Sequence, residues 1–205
     1  MRRIRIAEIS GSIPLRSTMT SGGYENLLVY RLAVTIFDFN LLFCQRFLSD
    51  YKYRRTVEQM EQADRSGKQN IVEGSLEKSM EGNIKLTGVA RASYGELLED
   101  YKDYLRTRNL KLWDKNDPRV LRIRSFKESL ENPTNLTNLS NLTNLDFNNP
   151  ENFANIMICL IYKENYLLDQ LLRSQEKKFI EQGGFRENLF KKRKDYLDKG
   201  RKGLP

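Results

Sequence analysis

The chain contains no histidine in 205 residues. That removes the commonest general base, the usual partner of a catalytic serine or cysteine, and the commonest metal ligand. It also removes the Glu-x-x-His pairs with which helical bundles hold di-iron centres. Cysteine is scarce: Cys44 and Cys159 both lie in apolar runs. Two cysteines without histidine do not build a structural zinc site, and buried free thiols are expected. Long uninterrupted apolar runs are lacking too, with nothing approaching the roughly 18 residues of a membrane span. The start, MRRIRIAEIS, has no extended apolar stretch and no small-residue cleavage site, so it does not read as a signal peptide, and the expected address is cytoplasmic. Neither a nucleophile–base pair nor a metal cluster is visible. The expectation is a non-enzyme with no catalytic residue and no cofactor.

What is present is charge. Apolar residues make up 39% and charged residues 30%, a balance that suits a soluble chain with extended polar segments. The formal charge of +8 is unevenly placed. Residues 1–16 hold four arginines against one glutamate; residues 173–205 hold eleven basic against five acidic side chains; residues 17–172 are almost balanced, at twenty against twenty-one. A neutral body with cationic ends suggests an appended grip on polyanions.

Periodicity points to an all-α fold, an antiparallel up-down four-helix bundle with an extra basic C-terminal helix. Residues 1–22 read as a flexible arm, 23–178 as the bundle and 179–205 as a basic suffix. The first helix is expected over 24–49, where Leu28, Leu32, Ile36, Phe39, Phe43 and Phe47 recur every three or four residues. The second is expected over 51–79, the third over 82–108 and the fourth over 151–178. Gly183 and Gly184 end the fourth, and a last helix runs over 185–197. Between the third and fourth, residues 109–149 interrupt the pattern. Leu112 and Trp113 are placed as caps on the bundle end, Pro118 after Asp117 opens a short helix over 118–131, and NPTNLTNLSNLTNLDFNNP is an Asn-rich low-complexity loop. Its three Asn-x-Ser/Thr triplets are accidental in a chain without a secretory signal.

Two helices carry small residues at helical spacing: Ala63, Gly67, Asn70 and Gly74 on the second, and Gly88, Ala92 and Gly95 on the third. A mid-helix glycine costs about 1 kcal/mol against alanine, so several on one seam imply a compensating close approach of helices or subunits. Tolerated surface glycines are the alternative.

The same segment carries a resemblance. EQADRSGKQNIVEGSLE (61–77) resembles the second-helix signature of the four-helix bundle proteins first associated with intervening sequences in bacterial 23S rRNA genes, whose run typically ends Asn-Ile-Ala-Glu-Gly and here stands as Asn70-Ile71-Val72-Glu73-Gly74. GVARASYGELLEDYKDYLR is similar to the third helix of that family and YENLLVYRLAV to its first. ENYLLDQLL and GGFREN resemble a C-terminal suffix found in a subset. The resemblance implies an up-down bundle that assembles as a homopentameric barrel. It also implies kinship to the accessory variability determinant of diversity-generating retroelements, which binds a reverse transcriptase and nucleic acid. It brings no catalytic residue. The Asn-rich insert and the tail depart from the family pattern and weigh on the pentamer.

Several side chains are candidates for function. Arg186, Lys191, Lys192, Arg193, Lys194, Lys199, Arg201 and Lys202, interleaved with Phe185, Phe190 and Tyr196, form the expected nucleic-acid patch, RNA or DNA; a merely soluble charged helix is the alternative. Arg2, Arg3 and Arg5 would join it if the ends converge. An anionic membrane ranks behind, because the apolar face looks thin. Asn70 and Glu73 are read as a polar pair setting register between helices or subunits, with a partner or RNA contact as the other reading. Glu96, Glu99, Asp100 and Asp103 form an acidic stripe, read as a solvated face braced by Lys102 and Arg106 rather than a metal site. Tyr101, Tyr104, Tyr162 and Tyr166 are placed at the core edge with hydroxyls reaching water. A docking surface for a partner protein remains open.

Overall fold

A computed structural model describes residues 23–126 and 146–202, with side chains to Lys199; among these no strand occurs. The N-terminal arm, the arginines at 2, 3 and 5, and the Asn-rich segment up to residue 145 with its triplets lie outside the described residues, as do the side chains of Arg201 and Lys202.

The helices are α1 (Leu28–Phe47), α2 (Arg54–Leu76), α3 (Met80–Thr107), α4 (Pro118–Ser125), α5 (Pro150–Gln182) and α6 (Phe185–Lys202). Their ends follow local chemistry that apolar periodicity does not report. α1 starts four residues later than expected, because Leu27 is extended (φ −71°, ψ 130°) after a single 3₁₀ turn over Tyr24–Asn26. A second 3₁₀ turn, Tyr51–Tyr53, opens on Asp50, whose carboxylate accepts from the Lys52 N–H at 3.1 Å. α2 stops at Leu76 rather than reaching residue 79. Ser79 belongs to the next helix as its N-cap, accepting from the Gly82 N–H at 3.0 Å. Only Glu77, Lys78 and Ser79 then separate α2 from α3, which forces the two to run back along each other. α3 ends on Asn109 in the left-handed region (φ 54°), and the Leu110 N–H returns to the Leu105 carbonyl at 2.9 Å. The cap of α4 is Asp117 and that of α5 is Asn149, each followed by proline at the first helical position. The expected short helix over 118–131 is described only to Ser125, while α5 and α6 each run several residues past their expected ends.

α1 and α3 each pack against both α2 and α5, so four long helices enclose one core, and α4 lies against α5. Leu32, Ile36, Phe43, Met60, Leu97, Phe153, Ile156, Ile161 and Leu168 are fully buried. At one end Phe43 sits edge-on to Tyr101, Tyr104 and Phe153, with centroids 4.9, 4.8 and 5.6 Å away, geometry that adds to simple burial. Burying these faces is the main source of stability, and it explains α1. That helix is long and apolar enough by composition to match a membrane span, yet Leu32, Ala33, Ile36 and Phe43 on it have no solvent exposure within the protein.

Trp113 closes the same end, as expected. Its ring is buried, the Arg119 guanidinium stacks 4.0 Å above it, and its backbone N–H donates to Asn155 Oδ1 at 2.8 Å. Leu112 does not share the role, being 49% exposed. Asn155 also donates to the carbonyls of Lys111 (2.8 Å) and Glu151 (2.9 Å), tying the connection to α5. Asn155→Ala removes all three bonds and leaves the Trp113 N–H unsatisfied, for an expected loss of about 2–3 kcal/mol by urea denaturation. An unchanged midpoint would show that the connection is not held through this side chain.

Candidate nucleic-acid interface

The basic C-terminal helix is set by a two-glycine corner. Gly183 sits at φ +73°, which ends α5. Gly184 is buried where a side chain would run into Glu81 and Phe179. The Gly184 N–H donates to Glu187 Oε2 at 3.1 Å, and the Asn188 amide donates to the Gly183 carbonyl at 3.3 Å. These contacts give α6 a capped start and a defined departure from the body. Beyond the corner, α6 forms no extended packing interface with another helix, and every residue from Leu189 to Lys199 is exposed.

The structure brings Arg186, Lys191, Lys192, Arg193, Lys194 and Lys199 together on this one exposed rod. Among the described residues no carboxylate lies within ion-pair distance of any of them. Across Phe185–Lys202 eight basic side chains face three acids, so the rod carries a net positive field. Phe190 and Tyr196 stand 70% and 78% exposed between the cations. Such an arrangement can meet phosphates with its charges and flat apolar groups with its rings.

The small-residue stripes part company. On α2, Ala63, Gly67 and Gly74 are buried: a Cβ on Gly67 would lie 2.7 Å from the Tyr94 ring, and one on Gly74 3.3 Å from Leu86 Cβ. This half is a close-approach seam between α2 and α3. On α3, Gly88 has open space where a Cβ would go, Gly95 has only the far end of Arg91 at 3.9 Å, and Ala92 is exposed. That half does not pack against another helix of the same chain; Tyr94, one residue away, does.

Asn70 and Glu73 do not pair across helices. Asn70 Nδ2 donates to the Ser66 carbonyl at 2.8 Å on its own helix, and Glu73 is exposed. The α2–α3 polar link is made by Ser66 and Ser93, whose hydroxyls lie 2.9 Å apart. In the acidic stripe, Glu99 pairs with Lys102 at 2.8 Å and Asp103 with Arg106 at 2.9 Å, while desolvation and then the Asp103 and Glu96 charges raise the Asp100 carboxyl. Among the described residues no three acidic or thiol side chains converge to hold a metal ion. Of the tyrosines, Tyr162 and Tyr166 are exposed, but Tyr101 is fully buried and its hydroxyl donates to Asn40 Oδ1 at 2.8 Å rather than reaching water. Cys44 and Cys159 are buried free thiols, each pushed up to about 12 by desolvation and therefore unreactive.

Sequence reasoning missed a polar thread through the core. Asn40 of α1, Asp64 of α2, Tyr94 and Tyr101 of α3, and Glu164 of α5 are all fully enclosed. Burial pushes the Asp64 carboxyl up to about 8, against the opposing pull of the Lys68 ammonium and the Asn40 amide. The phenols of Tyr94 and Tyr101 are driven well above their ordinary range, chiefly by desolvation. The usable signal was spacing: Asp64 falls four residues after Met60 and three before Gly67, on the buried side of α2.

No family model matches the chain, and neither a curated protein nor a solved structure matches it.

Proposed function

We propose that the protein is a non-catalytic nucleic-acid-binding or accessory protein, with RNA the favoured ligand and α6 as its phosphate-gripping element. Its all-α body is read as an antiparallel up-down four-helix bundle, supported by the three-residue α2–α3 link and by the mutual packing of four long helices. The observation that carries the functional reading is α6 itself, a capped, exposed helix whose described cations lack carboxylate partners among the described residues. Each phosphate it neutralises would release counterions and strengthen binding at low salt.

A filter-binding salt titration with structured RNA and duplex DNA tests this. The full chain is expected to bind at about 50 mM salt and to lose roughly 10³-fold in affinity by about 200 mM, with most of that slope lost in a chain ending at Gln182. Absence of binding at the lower salt sinks the reading.

The second reading is an oligomeric adaptor that docks a partner enzyme, such as a reverse transcriptase, through its body. The resemblance noted in the sequence suggests a homopentamer, and the outward stripe of Gly88, Ala92 and Gly95 near exposed Val89 supports a face shared between copies. Because Ala92 is exposed, Ala92→Glu leaves the isolated fold intact. Native mass spectrometry is expected to show the assembly falling to protomers, and an unchanged stoichiometry removes this face from consideration. On this reading partner binding survives loss of α6. A cytoplasmic location belongs to the same proposal.

A further inference from the structure

The polyanion reading names a charge class but not a strand state, and the layout of α6 separates the two. At about 100° per residue, Phe185, Tyr196 and Leu189 fall on one narrow strip, and Leu197 and Phe190 on a second about 100° away. Between the strips run Arg193 and Arg186, seven residues apart. All five apolar side chains are solvent-exposed, from 43% at Phe185 to 78% at Tyr196. Lys191 falls on the opposite side with Asp195 and Asp198, while Lys192 and Lys199 border the Phe185 strip.

This is not the layout of a helix lying in a lipid surface, where charge keeps clear of the apolar sector. Here two guanidiniums sit in the middle of it. Nor does it suit a dry helix–helix seam, which would bury both arginines without partners. Aromatic rings flanking an arginine row suit a ligand that offers flat apolar groups and phosphates side by side. A single-stranded nucleic acid does so, because its bases are free to stack on rings while its backbone meets the cations. A duplex offers phosphates and groove edges but no free base faces, its bases being already stacked on one another.

We propose that α6 binds unpaired nucleic-acid segments in preference to duplex, with Phe185, Phe190 and Tyr196 as stacking platforms and Arg186 and Arg193 contacting the adjacent backbone. The proposal rests on the polyanion reading and narrows it. The test compares the full chain with the triple variant Phe185→Ala, Phe190→Ala, Tyr196→Ala, which keeps every charge and touches no core residue. Both are titrated against a 20-nucleotide single strand, the matching duplex, and anionic phospholipid vesicles, with melting temperature as the folding control. The full chain is expected to favour the single strand by at least about tenfold, and the triple variant to lose that margin, about tenfold for each ring that stacks. Its salt slope should not change, since phosphate contacts set that slope. Equal binding to strand and duplex, unaffected by the triple variant, overturns the single-strand assignment while leaving the polyanion reading in place. Binding to vesicles but to neither nucleic acid overturns both in favour of a membrane surface, and binding to none of the three overturns both outright.

Discussion

Replacing Asp64 by asparagine should stabilise the protein, and by more at pH 7 than at pH 5. Asp64 has no solvent exposure, and the Asn40 amide beside its carboxylate makes no well-formed hydrogen bond to either oxygen. Its folded-state affinity for a proton is pushed up to about 8 from an ordinary value of 3.8. The groups around it are Asp38, Asn40 and Cys44 of α1, Lys68 one turn along α2, and Tyr94 and Tyr101 of α3. Only Lys68 is a cation. For a raised carboxyl the folded state holds its proton while the unfolded chain has released it, so raising the pH favours unfolding. The loss accumulates from about pH 4 to about pH 8 and then levels off. Each pH unit inside that window costs about 1.4 kcal/mol. Asparagine has a similar shape but does not ionise. Its advantage over the wild type should therefore grow by about 3 kcal/mol between pH 5 and pH 7, or roughly 6–12 °C in melting temperature. Parallel melting curves for the two proteins across that range would mean that the native carboxyl is ionised and satisfied.

The second large effect is steric. Gly67→Val should cost about 3 kcal/mol, because a Cβ there lies 2.7 Å from Cε2 and 2.8 Å from Cζ of Tyr94, and that ring is itself fully buried. The ring cannot swing aside without displacing its own neighbours. Gly67→Ala should cost less, since alanine recovers about 1 kcal/mol of helix propensity. Trimming the ring in a Gly67→Val, Tyr94→Leu double variant should return part of the loss, so a double-mutant cycle by urea denaturation isolates the contact. Gly88→Ala should have the opposite sign, gaining up to about 1 kcal/mol, because open space surrounds that position. Cost at Gly88 instead would show that the outward stripe is covered in the native assembly. No coupling at all between positions 67 and 94 would refute the seam.

These two experiments bear on different kinds of information in the chain. The apolar repeat of Leu32, Ile36, Phe39 and Phe43 announces a buried helix face, and the structure encloses those four side chains. Gly183 and Gly184 announce a corner, and the corner is there. The spacing of small residues announces close approach, but spacing alone cannot say which of two helices provides the seam. Gly67 and Gly74 meet α3, while Gly88 and Gly95 face outward. The reason is rotational: Tyr94 and Ser93 occupy the side of α3 that meets α2, which leaves residues 88, 92 and 95 on the other. Helix ends depart from the apolar repeat for a similar reason. A capping serine such as Ser79 looks in sequence like the tail of the helix before it, and only the Gly82 N–H shows which helix it serves.

The sequence by itself determined the all-α character, since a repeat of three to four residues is a property of the string itself. The neutral body and cationic tail were equally visible there, because charge adds up along a chain whatever its shape. Tertiary structure alone decided that Asp64 is enclosed rather than solvated, that Tyr101 bonds Asn40 instead of water, and that α6 stands clear with its rings exposed. Burial depends on which helices meet and at what rotation, and that is settled by packing between residues far apart in sequence.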